Sequence, residues 1–341
     1  MKTKNLIIFL ISLTITFLMI VIPHLGLKQN IVSPVFKRND IFKSLEQKLF
    51  FKENRFQLHK ELISVVSAGS DYDHALAYGL VNADNGQVIA SKNLSARLPM
   101  ASLTKIMTAI VAFDLADREE KFQVSERAAA QIPTKVMLKA GEKYSLNDLL
   151  QYMLISSAND SAETIKDGID QKFGEDVFIR AMNSKAQFLG LKNTHFENVQ
   201  GLDSFNHFSS VEDLSILSVY ALRNYPIIAQ TVSKDLEDLT GGGRDMRFYL
   251  QNWNGLLGLY PGVSGIKIGN TPKAGNCTIV FSKRGGSNLI AVIMGAPGVL
   301  QRDLWASELL DLGFNKLAGL PPVNISEDQL KAKYASWQYF Q

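Results

Sequence analysis

The chain has 341 residues, which is enough for one large domain or two modest ones. Hydrophobic residues make up 46% of it and charged residues 20%, a balance that predicts a packed core and excludes general disorder. The formal net charge is +3 and long runs of lysine and arginine are absent from the sequence, so nothing in its charge favours nucleic-acid binding.

Residues 1–27 predict a membrane anchor. Lys2 and Lys4 precede an uncharged apolar run, 6–22, which is just long enough to span a bilayer. Because positive charge stays in the cytoplasm, we expect the rest of the chain at the extracytoplasmic face of the cell membrane. An uncleaved signal-anchor is the first interpretation, and a cleaved signal peptide with a secreted or periplasmic product is the alternative. Residues 28–70 are expected to form a stalk or linker.

The next elements predict a hairpin and then a helical region. Strand-like runs within 74–92 flank a turn at 82–86, and the stretch 101–113, ASLTKIMTAIVAF, predicts a buried helix. Residues 125–235 are predicted to be mostly helical. Within them, Ser145 with Asp148 and Asp160 with Glu163 are candidate caps for two helices joined by a link at 156–160.

The C-terminal part predicts three strands, GIKIG, NCTIVFSKR and NLIAVIMG, of which the last two are joined by a tight turn and so antiparallel. A helix, RDLWASELLDLGF, is expected to follow and to end at Gly313. Strands at both ends and helices between them predict an α/β (α+β) fold. Its antiparallel sheet is built from the N- and C-terminal strands and flanked by helices, with a mostly helical subdomain. We place this domain at 71–318 and a short tail at 319–341.

One pair of residues suggests nucleophilic catalysis. Ser102 and Lys105 are three residues apart at the start of the buried helix, so they share a face. A neutral lysine is able to take the proton of a serine hydroxyl, and burial or a nearby cation lowers its pKa toward that state. A second S-x-x-K, Ser264 to Lys267, lies on a predicted strand, where these positions point to opposite faces.

Two further segments are weaker signals when taken singly. Ser157 and Asn159 lie in the link between two helices, and Lys267 enters the strand of GIKIGNTPKAGNC. A helix cap for Asn159 and a solvated strand end for Lys267 are the ordinary alternatives. The lone cysteine, Cys277, lies in an apolar run and is expected to be a buried hydrophobic residue. The five histidines are scattered, so the sequence suggests no metal site.

In this order, S-x-x-K, S-x-N and Lys-x-Gly resemble the motifs of penicillin-binding proteins and serine β-lactamases. The wider match, over about residues 72–316, resembles the D-alanyl-D-alanine carboxypeptidases. The resemblance implies a serine β-lactamase/D,D-peptidase-like fold and no metal or organic cofactor. The segments that carry it are ASLTKIMTA, LISSANDSA, AQFLGLKNTHFENVQGLD, NWNGLL, GIKIGNTPKAGNC, and IMGAP followed by Arg302.

The resemblance also implies catalytic roles. Ser102 would be the nucleophile that forms an acyl-enzyme with a peptidoglycan stem peptide ending in D-Ala-D-Ala, and Lys105 would be its general base. Ser157 would relay a proton to the leaving D-alanine. Asn159 would hold both the substrate amide and Lys105. β-Lactams are implied as covalent inhibitors.

Substrate-binding roles follow in the same way. Lys267 would attract the terminal carboxylate and help to keep Lys105 neutral. The N–H groups of Ser102 and Asn270 would form the oxyanion hole. Gly269 belongs to the substrate-binding Lys-x-Gly motif, and Arg302 is expected to help bind the carboxylate.

Ile268 departs from the family pattern, which usually has a hydroxyl residue there, and we expect it to weaken β-lactam capture. It favours one alternative, a non-catalytic or weakly active peptidoglycan-binding relative of the fold. A β-lactamase-like hydrolase is the other alternative. That enzyme needs a carboxylate, often in an E-x-x-L-N loop, and the nearest sequence here, beginning at Glu212, lacks the pattern.

Overall fold

The central sheet joins the two ends of the domain, as the sequence predicts. In the computed structural model, which describes residues 45, 56–59, 70–240 and 247–337 without the side chains of 240 and 247, its strand order is β2-β1-β9-β8-β7. All four neighbouring pairs are antiparallel. The strands are β1 (Ala77–Asn82), β2 (Val88–Lys92), β7 (Val263–Thr271), β8 (Gly275–Arg284) and β9 (Ser287–Ala296).

Helices fill the middle of the chain, between β2 and the three C-terminal strands. Two small two-stranded antiparallel sheets that the sequence did not predict interrupt them, β3 (Lys121–Gln123) with β4 (Lys143–Ser145), and β5 (Leu236–Thr240) with β6 (Arg247–Gln251). The helices are α1 (Lys105–Leu115), α2 (Glu126–Ala129), α3 (Leu146–Ile155), α4 (Asn159–Phe173), α5 (Val177–Leu189), α6 (Val211–Asn224), α7 (Pro226–Val232), α8 (Val299–Ala318) and α9 (Glu327–Ala335).

The sheet separates two hydrophobic clusters. One contains most of α1 together with Cys277 and Ile279 of β8, and Cys277 is completely buried, as predicted. The other packs α8 against alternate residues of the same strands, such as Val280 and Ile293. Because successive side chains of a strand point to opposite faces, the same sheet packs against helices on both of its faces. This arrangement holds α1, and Ser102 before it, against the sheet.

The end of α8 differs from the prediction. The helix continues through Gly313 and ends at Ala318, and the Gly319 that follows has a φ of 62°, in the left-handed region that glycine favours. At Gly313, a Cβ atom would lie 2.6 Å from Leu289 Cδ1 and 2.8 Å from Leu80 Cδ2. This glycine is therefore explained by close packing of the helix on the sheet, and the prediction that it ends the helix was wrong.

One of the two predicted caps is present. The Ser145 hydroxyl accepts a hydrogen bond from the Asp148 N–H at the start of α3. The prediction for Asp160 was wrong, because α4 begins at Asn159 and places Asp160 inside its first turn. The link between the two helices is consequently shorter than predicted and comprises residues 156–158.

The predicted tail contains α9, which packs on the domain. Its Leu330 is buried in the α8 cluster, and the hydroxyl of Tyr334 donates to Asp303 Oδ2 at 2.9 Å. The predicted anchor, 1–27, and most of the predicted stalk lie outside the described residues. Within the described part of the chain, no helix combines the length and apolarity needed to cross a bilayer.

Candidate active site

Ser102 lies in a tight turn at the entrance to α1. The turn is a 3₁₀ helix, Ala101–Thr104, and Ala101 adopts a left-handed φ of 49°. Thr104 Oγ1 donates to the Ala101 carbonyl at 2.9 Å and stabilises the turn. A Cβ atom at Gly201 would overlap that same carbonyl, so only glycine fits beside it. Strain of this kind persists only where the surroundings hold it, which is typical of functional sites.

Lys105 makes three contacts of equal length. Its Nζ atom lies 2.8 Å from Ser102 Oγ, from Asn159 Oδ1 and from the main-chain oxygen of Gln200. A neutral amine has two N–H groups and one lone pair. If the two N–H groups donate to Asn159 and Gln200, the lone pair is left for the proton of the Ser102 hydroxyl. The geometry thus suits a neutral lysine acting as a base.

Burial and charge favour that neutral state. Lys105 is completely buried. Burial lowers its pKa well below the usual value, and the positive charge of Lys267 lowers that pKa further, while Asp160 opposes the shift. Burial and the charge of Arg302 in turn lower the pKa of Lys267 to about 7. Burial and the charge of Lys267 on β7 are therefore the two influences that disfavour a proton on Lys105.

Ser157 and Asn159 approach from the helical side. Ser157 has a left-handed φ of 63° and lines the same cavity as Ser102. Asn159 is the first residue of α4, and its Nδ2 donates to the Ile132 carbonyl at 3.0 Å. Both ends of its amide are thus occupied, which fixes the oxygen that contacts Lys105.

The edge strand β7 forms another wall of the cavity. A Cβ atom at Gly269 would lie 2.7 Å from Ser102 N and 2.8 Å from Ala101 Cβ, so glycine permits the strand to approach Ser102. Ile268 and Asn270 line the cavity beside it. Asn270 also donates from Nδ2 to Asn276 Oδ1 at 2.7 Å. The N–H groups predicted for the oxyanion hole thus belong to two residues of one cavity.

The cavity has a volume of about 420 Å³, and its walls come from five separate parts of the chain. Among the residues described, its lining does not include Lys105 or Lys267, both of which are buried. The lining residues are Ser102, Ile132, Pro133, Thr134, Ser157, Asn159, Gln200, Gly201, Leu202, Asp203, Ile268, Gly269, Asn270, Thr271 and Pro272.

Arg302 lies away from this lining. Its guanidinium donates to Asp303 through Nε at 2.7 Å and Nη2 at 2.8 Å, and Nη2 also donates to the Trp253 carbonyl at 3.0 Å. It is 2% exposed. The structure therefore places the charge of Arg302 where it acts on Lys267, while its Nε and Nη2 donors bind protein groups.

Sequence reasoning missed three contributors. The main-chain oxygen of Gln200 accepts from Lys105, and a main-chain carbonyl carries no signature in a sequence. Asp203 accepts from Thr271 Oγ1 at 2.6 Å and from the Lys273 N–H at 3.0 Å, which joins two walls of the cavity. Asp160 accepts hydrogen bonds from the N–H groups of Val136 and Leu138, although the sequence suggested only a helix cap.

Comparisons with known proteins agree with this geometry. A family model described as D-alanyl-D-alanine carboxypeptidase, peptidase S11, matches residues 65–298. The chain is 33% identical over 74% of its length to the D-alanyl-D-alanine carboxypeptidase DacF of Bacillus subtilis, of which the match covers 66%. It is 30% identical, again over 74% of its length, to DacA of Escherichia coli, of which 64% is covered. The chain thus spans slightly less than two thirds of these relatives.

Solved structures show the same likeness. The DD-transpeptidase of Streptomyces K15 superposes with a TM-score of 0.66 at 26% identity, covering 70% of this chain and 97% of that one. Penicillin-binding protein D2 of Listeria monocytogenes, in its ampicillin-bound form, gives a TM-score of 0.61 at 31% identity with the same coverage. The predicted fold class is confirmed.

Proposed function

The chain belongs to the D-alanyl-D-alanine carboxypeptidase family, and on this basis we propose that it removes the terminal D-alanine from peptidoglycan stem peptides through an acyl-enzyme on Ser102. The observation that carries the proposal is the position of Lys105 Nζ, 2.8 Å from Ser102 Oγ and held by two acceptors. A buried lysine is costly without such a purpose.

The first half of the reaction forms the acyl-enzyme. Ser102 Oγ attacks the carbonyl carbon between the two D-alanines while Lys105 takes its proton. The N–H groups of Ser102 and Asn270 stabilise the oxyanion that forms. The proton then passes from Lys105 through Ser157 to the leaving nitrogen, and D-alanine departs. In the second half water attacks the ester carbonyl, the bond to Ser102 Oγ breaks, and one proton of the water returns to that oxygen as the shortened peptide leaves.

The carboxylate of the substrate is bound at β7 in this proposal. Lys267 supplies the positive charge, and a bound carboxylate would raise its lowered pKa by pairing with it. Ile268 supplies no hydroxyl, so the carboxylate loses one hydrogen bond. β-Lactams carry a similar carboxylate and would acylate Ser102 more slowly for the same reason.

We also propose that the protein works at the extracytoplasmic face of the cell membrane, held by its N-terminal segment. The proposal rests on the apolar run 6–22 and on the lysines before it. Detection of a full-length form in the membrane fraction would support it. A shortened form in the soluble fraction would contradict the uncleaved anchor.

Covalent labelling tests the activity directly. The purified full-length chain is incubated with a fluorescent penicillin, and the adduct is located by intact mass and peptide mapping. We expect one adduct on Ser102 and release of D-alanine from a peptide ending in D-Ala-D-Ala. Ser102→Ala should abolish both signals. Ser264→Ala is the matched control, because it removes the serine of the other S-x-x-K and should leave both unchanged.

The two alternatives predict different outcomes. Rapid turnover of a chromogenic cephalosporin without D-alanine release would indicate a β-lactamase. Absence of both the adduct and D-alanine release would favour a non-catalytic peptidoglycan-binding protein, for which Ile268 is the motivating observation.

A further inference from the structure

Asp160 is a carboxylate that is 0% exposed, follows directly on Asn159, whose Oδ1 contacts Lys105, and has no role in the proposed chemistry. It lies in the first turn of α4, directly after Asn159. One oxygen accepts from the N–H groups of Ser161 at 2.9 Å and Val136 at 3.3 Å, and the other accepts from the Leu138 N–H at 3.0 Å. Burial raises the pKa of Asp160, and the three N–H donors oppose that shift and hold the position of the carboxylate.

Asp160 holds the segment 132–138, which is distant in sequence, through the N–H groups of Val136 and Leu138, next to the residues that line the cavity. Neighbouring Asn159 adds two bonds to this segment, from its N–H to the Thr134 carbonyl at 2.8 Å and from Nδ2 to the Ile132 carbonyl at 3.0 Å. The segment lines the cavity through Ile132, Pro133 and Thr134. It has no regular secondary structure, so its position depends on such side-chain contacts.

The same carboxylate acts electrostatically on Lys105. Lys267 on β7 lowers the pKa of Lys105, and Asp160 on α4 raises it. Lys135, in the segment 132–138, lowers the pKa of Asp160. Asp160 thus offsets part of the cationic effect of Lys267. Without it, we expect Lys105 to lose its proton at still lower pH.

We propose that Asp160 is a positioning residue with two effects: it holds segment 132–138 as the substrate-binding wall, and it sets the pH range over which Lys105 activates Ser102. This inference rests on the proposed function. The wall contacts predict an effect on the KM for the peptide. The charge predicts an effect on the acid limb of the pH–rate profile, which a purely structural residue would not move.

Asp160→Asn and Asp160→Glu separate the two effects. Asp160→Asn removes the charge, so we expect the acid limb of penicillin acylation to move down by about one pH unit. It also places an amide N–H against a main-chain N–H, which disturbs the segment 132–138. Its KM for a D-Ala-D-Ala peptide should rise about tenfold. Asp160→Glu keeps the charge but displaces it, so the KM should rise while the acid limb stays near that of the wild type.

Asp167→Asn is the matched control. Asp167 is also a buried carboxylate on α4, but it binds Ser125 and Arg127, and it should leave the acid limb unchanged. An Asp160→Asn protein with the wild-type acid limb and wild-type KM would overturn the inference. If that variant does not fold, Asp160→Glu decides, because an unchanged KM there also overturns it. Failure of the wild type to acylate at all would instead contradict the proposed function.

Discussion

Asn159 Oδ1 lies 2.8 Å from Lys105 Nζ, so the first residue of one helix orients the amine at the start of another. The amide oxygen is an acceptor without a full charge, which lets Lys105 stay neutral. A carboxylate at the same position would stabilise the protonated amine instead.

Asn159→Asp should therefore raise the pKa of Lys105. We expect the rate of penicillin acylation at pH 7 to fall at least about tenfold and the acid limb to move to higher pH. Stopped-flow acylation between pH 5 and 9 measures both changes. Asn159→Ala is the control, since it removes the acceptor without adding charge. An equal acid limb in the two variants would show that charge at this position does not govern Lys105.

Ile268→Thr should increase penicillin acylation. A threonine hydroxyl at this edge of the cavity is placed to bond the substrate carboxylate, and such a bond to a charged group contributes roughly 1.5–3 kcal/mol. This corresponds to an increase of about ten- to a hundredfold in the second-order rate constant. Ile268→Val tests shape alone and should change the rate little. An unchanged or lower rate for the threonine variant would mean that the site is built around isoleucine.

Binding of the carboxylate should weaken above neutral pH. The pKa of Lys267 is lowered to about 7, first by burial and then by Arg302, so its positive charge is present below that pH and is lost above it. The ratio of acylation rates for a penicillin and its uncharged methyl ester isolates this step, because Lys105 acts equally on both. We expect the ratio to fall by about tenfold for each pH unit above 7. A ratio independent of pH would exclude Lys267 as the carboxylate partner.

His207 should make the protein less stable in mild acid. It is 3% exposed, its Nδ1 accepts from the Glu197 N–H at 3.0 Å, and its Nε2 lies 2.8 Å from Thr104 Oγ1 in the turn that contains Ser102. Burial lowers its pKa from 6.5 to about 4, although nearby Glu197 opposes the shift. Between these values the unfolded chain binds a proton that the folded protein does not. The free energy of unfolding should therefore fall by up to about 3 kcal/mol as pH drops from 6.5 to 4.

His207→Gln offers the comparison for this effect, because glutamine retains one acceptor and one donor without titrating. Urea unfolding of both proteins at several pH values gives the difference in unfolding free energy. The contributions of the buried carboxylates to the pH dependence are the same in both proteins and cancel in this difference. The wild type should lose stability relative to the variant as pH falls. Parallel curves would contradict the assignment of this pH dependence to His207.

Much of the fold was predictable because its signals are local. Alternating and continuous apolar runs indicated the terminal strands, the turn at 82–86 indicated the first hairpin, and Ser145 indicated a cap. The two-stranded sheets β3–β4 and β5–β6 were missed because each pairs short strands separated by other elements or by a longer connection. Gly313 was misread because its reason is the approach of Leu80 and Leu289, which are distant in sequence.

The sequence by itself determined the pairing of Ser102 with Lys105, since residues three apart share a helical face whatever surrounds them. It also determined the order of the three motifs and so the family. Only the tertiary structure decided what surrounds the amine. The Gln200 carbonyl is 95 residues away from Lys105, and main-chain oxygens are the same in every residue, so no pattern marks the one that matters. Likewise, Asp160 acquires its partners in 132–138 only when α4 packs beside that segment, because long-range contacts depend on the folded chain and not on local periodicity.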